Sequence, residues 1–198
     1  MYSSSKMMEE LHALQEDQTP NFPSSWSSIL LDPKVPTLLF KLYGLVSDEN
    51  SVRMIQKCLI QYCGLRRPLF ANDSDRVKYL NDLIDGLTVI FENFVYTSDS
   101  VGFADSDVDW KYENYGEICT TFCQMSERLV KTAPLSSLTL AKQFPSFLNC
   151  LCRLTCDILE KSAKRDDDNV DNWWMRAFNH LLHMWTHVGK HRAPLPIA

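Results

Sequence analysis

Four histidines, His180, His183, His187 and His191, follow one another at intervals of three, four and four residues. On a helix that spacing gathers them into an arc of about 80°. Two imidazoles one turn apart can chelate a metal ion, and imidazole also titrates near neutral pH. A zinc site needs further ligands, and the run contains no acidic residue and no HExxH motif. The stripe flanks the apolar arc of Trp174, Leu181 and Trp185, which places it toward a solvated side. His191, near the expected helix end, would be mildly favoured there as a cation.

Cysteines recur at the same helical interval, Cys119 with Cys123 and Cys152 with Cys156. A mixed Cys/His zinc site across helices is the metal arrangement these residues allow, but such spacing recurs by chance in cysteine-rich helices. The seven cysteines (Cys58, Cys63, Cys119, Cys123, Cys150, Cys152, Cys156) are odd in number and contain no CxxC. They read as small apolar filler in a reducing compartment, not as a disulfide framework. Nucleophilic catalysis needs a partnered base, and the sequence offers none. Its six glycines are scattered, so no phosphate-cradling loop exists. Asp99, Asp105, Asp107 and Asp109 echo a calcium loop, yet Asp105-Ser-Asp107-Val-Asp109 lacks the central glycine and the bidentate glutamate. These residues predict a binding protein, not an enzyme, with no catalytic, cofactor-binding or metal-binding residue assigned. Arg66-Arg67 in GLRRPLF read as a solvated loop or a local salt bridge to Asp73 or Asp75. Of Trp173-Trp174, at least one is expected in the core, since an indole buries a large apolar area.

Composition narrows the class. The chain has 198 residues, is 45% hydrophobic, and carries a net charge of −5. That suffices for one domain with a real core and argues against nucleic acid as a partner. No apolar run approaches the ~18–20 residues that cross a bilayer, and the first residues lack a signal-peptide segment. A soluble protein of cytoplasm or nucleus is expected, with no membrane insertion.

The elements that carry these residues are all predicted helical. Residues 58–94 organise the chain: one helix ends at Cys63, Pro68 prevents it from running on, and a long helix begins near Ser74, capped by Asp73 or Ser74. Val77, Leu80, Leu83, Ile84, Leu87, Ile90, Phe91 and Phe94 share one arc of that helix, with Arg76, Lys78, Asn81, Asp82, Asp85 and Glu92 outside it. Val52, Ile55, Leu59 and Tyr62 form the face of the preceding helix. Upstream, Ser24 and Ser25 can cap a short helix from Trp26 to Leu31. A further helix from Pro36 shows Leu38, Leu39, Leu42, Leu45 and Val46. Downstream, Asn114 caps a helix to about Val130 with Tyr115, Ile118, Phe122, Met125 and Leu129 on one side. A short helix over Leu135 to Lys142 comes next. Pro145 to Lys161 then buries Phe147, Leu148, Leu151, Leu154, Thr155, Ile158 and Leu159. Trp173 to about Val188 closes the series. No stretch alternates with a period of two. The fold class is therefore all-α, with hairpins beginning near residues 36, 74 and 138. A spacing of about 40 residues per helix pair marks a HEAT-type α-solenoid. A closed bundle is the rival. Residues 1–23 are expected to be tail or linker, 24–191 the helical repeats with an acidic insertion at 95–113, and 192–198 a tail.

PSSWSSILLDPKVPTLLFKLY, KCLIQYCGLRRPLFANDSDRVKYLNDLIDGL, FPSFLNCLCRLTC and RAFNHLLHMWTHV together resemble the exportin-4 and exportin-7 branch of importin-β-like nuclear transport receptors. In that branch a serine-tryptophan helix precedes paired HEAT helices. A loop with an apolar-Phe pair, here Pro68-Leu69-Phe70, then leads into a long helix containing Tyr79-Leu80 and Ile84-Asp85-Gly86. FLNCLCRLTC looks closer to exportin-4, and Arg66-Arg67 closer to exportin-7. The resemblance implies a receptor that binds protein cargo with Ran in its GTP form, passes nucleoporins and shuttles between nucleus and cytoplasm. It also implies that this chain matches an internal block of a longer repeat array. The alternative is an autonomous HEAT-repeat scaffold or adaptor without Ran dependence.

Overall fold

The computed structural model describes residues 22–96, 114–163 and 173–190. Among them every regular element is helical and no strand occurs. A 3₁₀ turn, Ser24–Trp26, leads into α1 (Ser27–Leu30), followed by α2 (Lys34–Leu45), α3 (Glu49–Tyr62) and α4 (Asp73–Ile90). α4 runs on into a π turn at Phe91–Tyr96. Then come α5 (Tyr115–Thr132), the single turn α6 (Leu135–Leu138), α7 (Phe144–Ala163) and α8 (Trp173–Lys190). The expected tail 1–23 (but for its last two residues), most of the insertion 95–113, the charged stretch after Ala163, His191 and the tail 192–198 lie outside the described residues.

The helices form two layers. α2, α4 and α7 pack side by side in one layer, and α3, α5 and α8 do so in the other. Each hairpin (α2–α3, α4–α5, α7–α8) contributes one helix to each layer and, among the described residues, packs mainly against its neighbours in the stack. This is an all-α helical-repeat solenoid of the HEAT type, as the 40-residue spacing predicts.

α4 is the centre of the first layer. Leu80, Leu83, Ile84, Leu87, Ile90 and Phe91 are buried, which is the arc read from their spacing. Each fully buried aliphatic side chain contributes about 1.5–3 kcal/mol. Other positions depart from that arc: Tyr79 and Thr88, not counted in it, are buried as well. Val77 is only half-buried, and Arg76, placed outside it, is buried. The Arg76 guanidinium donates to the Thr132 carbonyl at the end of α5 and lies 5.8 Å from the Phe70 ring centre. Burial lowers its pKa, with Arg67 acting in the same direction. A charged head at the end of a long stem can thus leave the solvated face and tie two layers together.

α5 is buried almost all round because it is flanked by α3 and α8 and covers α4. The expected face of Ile118, Phe122, Met125 and Leu129 is in the core, but Thr121, Ser126, Glu127 and Arg128 are buried as well. Arg128 finds its partner across the layer and Ser126 on its own helix. Arg128 Nη1 donates to Gln61 Oε1 at 2.7 Å, and Ser126 Oγ to the Phe122 carbonyl at 2.8 Å. Polar ties also close the layer ends. Tyr62 Oη donates to the Leu30 carbonyl at 2.7 Å, and Tyr79 Oη to the Tyr62 carbonyl.

Helix starts differ locally from expectation. Asn72, not Asp73 or Ser74, caps α4, its side chain accepting from Asp75 N at 2.9 Å. Asp48 caps α3 by accepting from Ser51 N at 3.0 Å. Ser24 and Ser25 belong to the 3₁₀ turn and cap nothing, and Asn114 makes no side-chain cap bond. α6 is shorter than the Leu135 to Lys142 segment anticipated. Among the described residues no helix is long and apolar enough to cross a membrane.

Candidate functional site

The histidine stripe lies on α8, and the acid it lacks in sequence comes from α5. Glu127 is buried, its side chain 8% exposed, yet it holds two imidazoles and an ammonium. His180 Nδ1 donates to Glu127 Oε2. An ionised carboxylate has no hydrogen to give, so Nδ1 is the protonated ring nitrogen. His183 Nδ1 lies 3.2 Å from Oε1, and Lys131 Nζ pairs with the same oxygen. His187 is half-buried one turn further along, and His191 lies outside the described residues. Burial disfavours the Glu127 charge. The hydrogen bonds and charges of His180 and Lys131 outweigh it and hold the carboxyl at about 2, below its ordinary 4.5. The carboxylate is thus a clamp between two second-layer helices, with its lone pairs taken. Among the described residues no group of three or more His, Cys, Asp or Glu side chains is arranged to hold a metal ion.

That depressed pKa has a signed consequence. A carboxylate bound more weakly to its proton in the folded state stabilises the fold above its unfolded pKa. Its contribution is complete above about pH 4.5 and is lost as pH falls toward 2. Glu127→Gln is expected to cost about 1–3 kcal/mol at neutral pH, because it leaves Lys131 and His180 without their anion. The same variant is expected to flatten the acid limb of stability between pH 4.5 and 2.5. Urea midpoints measured across that range check both parts.

Cysteine burial divides. Cys63, Cys119, Cys123 and Cys150 are buried, as apolar filler should be, whereas Cys58, Cys152 and Cys156 are exposed. Burial pushes the Cys63 thiol up to about 12 and those of Cys123 and Cys150 upward, which makes all three poor nucleophiles. Arg67 takes the local partner expected of it: Nη2 pairs with Asp73 Oδ1 at 3.2 Å, and Nη1 donates to the Phe70 carbonyl at 2.8 Å. Both Trp173 and Trp174 are half-buried. The Trp173 ring packs on Tyr115 and directly over Gly116.

What the stack leaves open is apolar, at both ends. In the first hairpin Leu38, Leu42 and Leu45 stand one turn apart on one face of α2 and are exposed, with Ile29 exposed on α1. In the last hairpin Leu159 on α7 and Met175 and Leu182 on α8 are exposed, beside Cys152 and Cys156. Leu159 was expected in the core of α7 but is exposed; the buried side chains of that helix are Phe144, Phe147, Cys150, Leu151, Leu154 and Ile158, with Leu148 and Thr155 half-buried. A repeat buries its faces on neighbours, so uncovered end faces are what a block of stacked repeats presents.

The architecture defines a class: an all-α helical-repeat protein of stacked hairpins. No family model matches the chain. It is, however, 31% identical over 142 residues to Ran-binding protein 17 of Homo sapiens and 30% identical over 142 residues to Exportin-7-B of Xenopus laevis. It is 28% identical over 137 residues to Ran-binding protein 16 of Drosophila melanogaster. The first two matches cover 72% of this chain and 11% of each relative. The chain thus spans about a tenth of the length of the relatives it matches. The similarity supports the exportin family for this segment, and not exportin-4 in particular.

Proposed function

We propose that this chain is a block of repeats within a nuclear export receptor that binds protein cargo together with Ran in its GTP form. The observation that carries this reading is the similarity over 142 residues to proteins named as exportins and Ran-binding proteins. The two-layered stack with apolar faces at both ends accords with it. In such a receptor GTP belongs to Ran, and the repeats contribute binding, not chemistry. Each hairpin packs mainly against its neighbours, so small rotations add along a solenoid and couple one bound partner to the shape offered to another. Passage through the pore by contacts with nucleoporins, and shuttling between nucleus and cytoplasm, follow from the same reading. Within the branch, FLNCLCRLTC favours exportin-4, while Arg66-Arg67 and the relatives favour exportin-7; the exportin-7 side is the better supported.

The test is retention of the native polypeptide from nuclear extract on immobilised Ran loaded with a non-hydrolysable GTP analogue or with GDP. At least ten-fold greater retention on the GTP form is expected. Equal retention, or none, overturns the Ran-dependent reading and leaves a scaffold or adaptor built on the same repeats.

A further inference from the structure

We draw no further inference here: the strongest candidate, the apolar end face of the stack made by Ile29 on α1 and Leu38, Leu42 and Leu45 on α2, carries nothing because nothing in the structure shows what covers it.

Discussion

Leu83→Asp is expected to abolish cooperative melting of this chain. Leu83 has no exposed surface and sits midway along α4, the central helix of the first layer. Removing a fully buried leucine side chain costs about 2–5 kcal/mol. A carboxylate in its place must stay charged among Leu80, Ile84 and Leu87, take up a proton, or force the helix face open; each route adds several kcal/mol. The sum is comparable with the whole stability of an ordinary domain, about 5–15 kcal/mol. Val89→Asp is the matched control. It puts the same charge on the same helix, at a residue 52% exposed, where the cost should stay within about 0.5 kcal/mol. Far-UV dichroism against temperature separates the two. A Leu83→Asp chain that melts like the parent would show that the α4 face has been assigned to the wrong side.

Gly116→Leu is the second large effect, and it depends on one neighbour. A Cβ at Gly116 would lie 2.3 Å from the Trp173 ring, far inside carbon–carbon contact distance. The atoms it meets include the root of the indole, which also packs edge-on against Tyr115 with ring centres 5.6 Å apart. The start of α8 must therefore move away from α5, along the most intimate helix pair in the stack. Overpacking of this kind costs about 1–3 kcal/mol, and a whole leucine belongs at the upper end. In a Trp173→Ala background the obstruction is absent. Leucine is also a better helix former than glycine. There the same substitution should cost less than about 1 kcal/mol. Denaturant midpoints for the four chains of this double-mutant cycle give the coupling directly. Equal penalties in both backgrounds would mean that Gly116 is not the point of close approach.

How much of this was legible in the sequence follows from the range of each interaction. The α4 arc was readable because Leu80, Leu83, Ile84 and Leu87 are spaced by the helix itself. The hairpin count was readable because Pro68 and Pro36 and the period of the apolar faces are local signals. The Glu127 clamp was not. Its carboxylate stands on α5 and its imidazoles on α8, with 53 residues between Glu127 and His180. Only the stacking of alternate helices brings them together, so the stripe read as solvated. Arg76 was misplaced for the same reason, since its acceptor, the Thr132 carbonyl, is 56 residues away. Leu159 failed differently. It stands at the margin of the α7 arc, about 100° round from Leu151, Leu154 and Ile158, and is 47% exposed.

The central claim is that this chain is an internal block of a longer repeat array, and the size of the native product tests it most directly. An antibody raised against α7 and α8 should detect, in an immunoblot of cell extract, a band several times heavier than the 22.9 kDa of this chain. A lone band at 22.9 kDa would contradict the receptor reading and leave a free-standing helical scaffold, with both apolar ends of its stack to be covered by something else.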